Sequence, residues 1–141
     1  MADSLINVSF DPASLGTITN LAQFASFLEP EMEAAMQQIG DIIVQAAVAN
    51  TWAIFDHPTG ALANSIRAIL DGPMAVEVGS DLPYARRREY GGGGLPDSRG
   101  RPMNDEARPY LEPALEQNAD QIIQMMGAAT AEAFAKMGVP I

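Results

Sequence analysis

Two short apolar runs, Ser65-Ile66-Arg67-Ala68-Ile69-Leu70 and Met74-Ala75-Val76-Glu77-Val78, flank Asp71-Gly72-Pro73. That order predicts an antiparallel hairpin over about 65–79, because Gly and Pro mark the place where the chain reverses. A three-residue connection that pairs Leu70 with Met74 sets Ala68 opposite Val76 and Ile66 opposite Val78 on one face. The other face then carries Arg67 opposite Glu77, an opposite-charge pair of the kind that supports a register.

The rest of the chain supplies what covers the apolar face. Leu5 to Phe10 alternates, with Ile6, Val8 and Phe10 on one side, and reads as a short strand ended by Asp11-Pro12. From Ala13 to Phe27 the spacing turns helical. Pro30 is expected to start a stronger helix over about 30–51, since its missing N–H costs nothing in a first turn. Glu31 and Glu33 there suit the helix dipole. Met32, Met36, Ile39, Ile43 and Ala46 form its stripe, with Ala35, Ile42 and Ala49 beside it. Such a stripe reads as core packing.

A second long helix is expected over about 110–137. Leu111, Leu115, Ile122, Met126, Ala129, Ala133 and Met137 share one face, Pro113 falls in the first turn, and Gly138 and Pro140 give the stop. At about 1.5 Å per residue it would run roughly 40 Å. A single small domain does not cover that length, so part of it is expected to pack on another subunit. The fold class is therefore α+β: a small antiparallel sheet packed by these two helices, in a single domain over 1–141.

Between hairpin and last helix the chain changes character. Val76 to Ser80 leads through a turn to Tyr84, then Arg86, Arg87 and Arg88, then Glu89-Tyr90 and four glycines. Leu82 to Tyr90 reads either as a short helix or as a continuing extended segment. Gly91 to Gly94 is expected to form no stable element, because ordering four glycines loses much backbone entropy. The loop over about 91–107 is expected to be mobile and to serve as a docking loop.

Charge is segregated in the same way. The chain carries −10 overall, yet six of its eight basic residues lie between Arg86 and Arg108. Counted from Asp81 to Arg108, where the acids are Asp81, Glu89, Asp97, Asp105 and Glu106, the segment carries +1, which leaves −11 for the rest. An acidic body disfavours free nucleic acid as the main partner. Two kinds of surface on one molecule suit self-association, the arginine segment of one copy meeting the acidic face of the next. Tyr84, Arg86, Arg87, Arg88, Glu89, Tyr90, Arg99, Arg101 and Arg108 are the candidate interface residues. A solvated face and a nucleic-acid backbone contact are the competing readings of the triple arginine.

No catalytic set stands out. The single His57 lies beside Asp56, but there is no Cys, and the nearest hydroxyl, Thr59, is a turn residue. The carboxylates lack calcium-loop spacing, and the glycine run lacks the Lys-Ser/Thr of a phosphate loop. Neither enzyme activity nor a cofactor or metal is expected. The absence of Cys excludes disulfides. No basic segment followed by an apolar core opens the chain, and no apolar run reaches the roughly 18 residues of a span. A soluble chain made in the cytosol is expected, with no membrane contact.

Four short motifs occur in order. Pro58-Thr59-Gly60-Ala61-Leu62 leads to Ser65-Ile66; Val78-Gly79-Ser80 follows; Tyr84-Ala85 leads to Glu89-Tyr90-Gly91; and Arg108-Pro109-Tyr110-Leu111-Glu112-Pro113-Ala114-Leu115 opens the last helix. Together, over about Glu31 to Met137, they resemble the head–tail joining and tail-completion proteins of tailed bacteriophages, the neck or morphogenesis proteins. Two positions depart from that pattern. Ala61 stands where the family has a basic residue, and Arg86 to Arg88 stand where it has aliphatic ones. The resemblance implies a structural virion protein that forms a homo-oligomeric ring, most simply a hexamer, in the neck. That ring would complete the tail and dock on a head-side connector and on the tail tube. DNA would pass through its channel without sequence-specific binding. Assembly would take place in the host cytoplasm. The alternative, from the residues alone, is a small cytosolic regulatory or inhibitor protein that binds one protein or nucleic-acid partner.

Overall fold

A computed structural model describes residues 4–9, 21–56 and 59–138. In chain order the elements are β1 (Ser4–Ser9), α1 (Leu21–Ile54), α2 (Ala61–Ser65), β2 (Arg67–Leu70), β3 (Ala75–Ser80), α3 (Ala85–Tyr90), α4 (Leu111–Gln117) and α5 (Ala119–Lys136). The class is α+β, as expected. The sheet has the order β1-β3-β2, with both pairings antiparallel.

One face of the sheet lies on α1. Val8, Val76 and Val78 are buried in one core with Phe24, Leu28, Met32, Met36, Ile39, Ile43 and Ala47 of α1. Gly40 lets the helix approach. A Cβ at that position would come within 2.8 Å of the Ala68 Cβ and 3.0 Å of a Val76 methyl. The other side of α1 packs on α5, where Phe24 and Phe134 stack at 4.7 Å between ring centroids.

Several expectations change. The hairpin pairs Leu70 with Val76 and Ala68 with Val78, so the connection moves one residue along. Gly72 is the residue with positive φ, at 72°, so the chain reverses after Asp71, whose N–H still bonds Ala75 O at 2.9 Å. Apolar residues keep their face under this shift. Arg67 no longer opposes Glu77, however, and forms an ion pair with Asp81 instead. Residues 61–65, partly expected in the strand, are the short helix α2.

Pro30 does not begin a helix; it lies inside α1. Its missing N–H frees a carbonyl one turn earlier, at Ser26, and both residues are exposed, so water can satisfy that group. Phe24 and Leu28 before it and Met32 after it are all fully buried, which holds the helix across the break. The part of the expected helix over 13–20, with Phe10 of the strand, lies outside the described residues.

The last helix is split at Asn118, whose φ of −115° leaves the helical region. Its side-chain amide donates to Ala114 O at 2.8 Å, a local bond that competes with the helix ladder. Pro113 falls in the first turn of α4, where it is tolerated. The buried face of α5 is Ile122, Ala129 and Ala133, and it is covered by the longer α1. Helix length therefore gives no reason of its own for a second subunit.

The glycine run is hydrogen-bonded to the returning part of its own loop. Gly92 N–H donates to Asp105 O at 3.1 Å, Gly94 N–H to Met103 O at 2.8 Å and Met103 N–H to Leu95 O at 2.8 Å. Pro96 and Pro102 bridge beyond them. The entropy lost on ordering glycine is real, but only glycine fits here: a Cβ on Gly92 would lie 2.2 Å from Met103 O.

Candidate functional site

The arginine segment is the short helix α3, which resolves the choice between helix and extended chain. Six residues put Arg86, Arg87 and Arg88 on three sides of one turn, and each meets a different environment. Arg86 lies over the Tyr90 ring, 5.6 Å from its centroid. Arg87 makes a forked ion pair with Asp105 on the returning arm of the 91–107 loop, with Nη2 donating to Oδ1 at 2.6 Å. Arg88 lies over Phe55, 5.5 Å from the centroid.

Arg108 joins Arg88 at the same ring, 5.8 Å from the Phe55 centroid. The backbone sets this up, since Arg108 N–H donates to Arg88 O at 2.8 Å. Phe55 in turn meets Tyr110 edge-on, at 6.3 Å, so the pair of guanidiniums rests on an aromatic that contacts the core. Phe55, Asp56, Thr59, Gly60, Ala61, Leu62, Tyr84, Arg88 and Arg108 line a cleft of about 370 Å³ here.

Glu89 faces inward. It is 2% exposed, and its carboxylate accepts from Tyr110 N–H at 2.7 Å, Leu111 N–H at 3.0 Å and Glu112 N–H at 3.0 Å. It caps the free amides at the start of α4, which would otherwise be unpaired. As an interface residue it is a correction: its carboxylate is used inside the fold.

Arg99 and Arg101 sit at the turn of the 91–107 arm. Their backbone amides donate to Asp97 Oδ1 at 2.8 and 2.9 Å, and Arg101 Nε pairs with Oδ2 at 3.2 Å. These bonds, Arg101 first, hold the Asp97 carboxyl below the usual carboxylate range. The structure thus brings Tyr84, Arg86, Arg87, Arg88, Tyr90 and Arg108 together and sets Arg99 and Arg101 apart.

The surface around α3 is rich in exposed aromatics. Tyr84 is 39% exposed, Tyr90 50% and Trp52, which packs beside Gly60, 53%. Exposed Trp, Tyr and Arg side by side form the composition that dominates binding energy at protein interfaces. Phe55 was not legible as part of this site, because nothing near it in the sequence names Arg88 or Arg108 as its neighbours. His57 lies outside the described residues. Among the described residues no cluster of acids or histidines could hold a metal. No described helix is long and apolar enough to cross a membrane.

The model of the HK97-gp10-like family, described as "Bacteriophage HK97-gp10, putative tail-component", matches residues 15–91, more than half of the chain. The chain belongs to this family. Its role is that of a structural phage tail protein, as the resemblance implied, and a structural role argues for a non-enzymatic one. That role places it in the virion. No curated protein and no solved structure matches the chain significantly. The matched residues end just after Glu89 and Tyr90, so the Arg108–Leu115 motif lies beyond them, tied to the family region by the Glu89 cap.

Proposed function

We propose that this tail component acts as one subunit of a homo-oligomeric ring, most simply a hexamer, in the neck of the phage. The ring completes the tail and joins it to the head around the DNA channel. What carries this reading is the arginine and aromatic surface of α3 on an otherwise acidic molecule. Glu29, Glu33, Asp41, Glu112, Glu116, Asp120 and Glu132 are all exposed. A closed ring needs two different complementary patches on each subunit, one facing each neighbour. Tyr84, Arg86, Arg88, Tyr90 and Arg108 supply the first, and the acidic helices the second. The arm over 91–107, with Arg99 and Arg101 at its turn, is the docking element toward a head-side connector or the tail tube. Acidic side chains facing the channel would repel the duplex and let it slide. Light scattering or native mass spectrometry tests the reading. A ring has several times the 15.0 kDa of one chain, and a monomer at working concentration, with or without salt, overturns the ring.

A further inference from the structure

We infer that the Phe55 cleft is a carboxylate clamp, built from Arg88 and Arg108, that takes acidic side chains from α1 of a second copy of this chain. This deepens the ring reading and rests on it for the source of the acid. The observations for the clamp itself are independent of that reading.

The three arginines in a row are not equivalent. Arg87 is occupied by Asp105 within the chain. Arg88 and Arg108 have no ion-pair partner among the described residues, yet the fold goes to some length to put them together. They are 20 residues apart in sequence, joined by a main-chain bond and stacked on one ring. Two like charges on one aromatic repel each other, and the ring faces offset only part of that repulsion. An anion between or across them relieves it. Both line one open cleft, where a planar guanidinium can fork onto a carboxylate. The 91–107 arm completes the site, because Arg108 arrives there only on its returning strand, which Arg87 holds through Asp105.

The occupant follows from charge complementarity. Glu29, Glu33 and Asp41 recur at multiples of four along α1, all exposed. Glu29 and Glu33 lie one turn apart and share a face of the helix, while Asp41 lies farther along and round it, beside Ala68, Leu70 and Val76 of the sheet. Nucleic-acid phosphate is the weaker candidate, since a body carrying −11 outside the arginine window repels it.

The test uses the full chain and arginine side-chain Nε–Hε signals in nuclear magnetic resonance. The probe is the peptide acetyl-Glu-Ala-Ala-Ala-Glu-amide, with its Gln counterpart and inorganic phosphate as controls. The Glu peptide is expected to shift the Arg88 and Arg108 signals and to leave Arg87 in place; Arg88→Gln or Arg108→Gln is expected to weaken it about tenfold. Equal response to the Gln peptide, or response to phosphate alone, overturns the clamp. The source of the acid is read separately. Glu29→Gln with Glu33→Gln and Asp41→Asn is expected to dissociate the oligomer, and an intact oligomer overturns α1 as the donor. A Glu-peptide response in a chain that stays monomeric keeps the clamp and discards the ring.

Discussion

Tyr110 donates its backbone N–H to Glu89 Oε2 at 2.7 Å, and its side-chain hydroxyl donates to Ala85 O at 3.2 Å. Both bonds are buried and link α3 to the start of α4. Asn50 Nδ2 adds a third tie, from the end of α1 to Tyr110 O at 3.1 Å. The Glu-aromatic-Gly and Arg-Pro-aromatic-Leu motifs are therefore two halves of one joint. The carboxylate of the first caps the helix opened by the second.

Removing the charge from this joint should loosen the whole region. Glu89→Gln keeps the volume but turns one acceptor oxygen into a donor that faces α4 amides. The expected loss is about 1.5–3 kcal/mol in chemical unfolding, the range for hydrogen bonds to a charged group. Tyr110→Phe removes the hydroxyl bond to Ala85 O and should lose about 1 kcal/mol. If Glu89→Gln were no more costly than Tyr110→Phe, the cap would not be what holds α4.

How much of this was legible follows from the range of the forces. Local periodicity marks α1, the hairpin and the C-terminal helices, because burial repeats with the helix or strand period. The hairpin register was two partner residues out, since Met74 and Val76 are both apolar and either one opposite Leu70 keeps the faces. Pro30 misled because packing on both sides of it outweighs a local breaker. Glu89 misled because its partners are 21 to 23 residues away and are backbone amides, which leave no trace in sequence. The arginine segment was found for its unusual composition, but composition cannot divide three arginines among Tyr90, Asp105 and Phe55.

Two glycines in helices should respond in opposite directions. Gly40 lies against the sheet, and Gly40→Ala drives a methyl group into Ala68 and Val76. The expected loss is about 1–3 kcal/mol, as for other overpacked cores. Gly127 in α5 has open space around it, so Gly127→Ala should gain about 0.5–1 kcal/mol from helix propensity. Thermal unfolding of both variants beside the parent chain checks the pair, and loss of the contrast would mean that α1 sits farther from the sheet.

The 91–107 arm should be sensitive to one methyl group. Gly92→Ala cannot keep its bond to Asp105 O with Met103 O so close, whereas its neighbour Gly94 has only an Asn104 side-chain oxygen at 4.0 Å. Amide hydrogen exchange at Gly94 and Met103 reports the arm. In Gly92→Ala both amides should lose protection at least tenfold, roughly the value of one such bond. Unchanged protection would show that the arms are not paired in solution.

Acid should release the arm from α3. The Arg87 guanidinium, through its hydrogen bond, holds the Asp105 carboxyl below the usual carboxylate range, and Asp105 raises Arg87 in return. A group with a depressed folded pKa stabilises at all pH values above its unfolded one, about 3.9 for Asp. That stability is lost as the pH falls through the folded value. The arm should therefore be unaffected from neutral pH down to about 4 and loosen below it. Carbon-13 titration of the Asp105 carboxyl checks the cause. Arg87→Gln should move its midpoint back up toward the ordinary range, and an unmoved midpoint would rule the ion pair out.

Charge reversal on α3 separates assembly from folding. Arg87 belongs to the arm, so reversing all three arginines together would confuse the two. Arg86→Glu with Arg88→Glu leaves Arg87 on Asp105 and changes only the residues over Tyr90 and Phe55. Both are exposed, so unfolding should shift by no more than about 0.5 kcal/mol. The oligomer should fall to monomer at concentrations where the parent chain assembles, and high salt should weaken the parent in the same direction because exposed charges are screened. Light scattering across salt concentrations measures both. A double variant that assembles like the parent chain would mean that the ring is closed by a different surface, even if the protein remains a tail component.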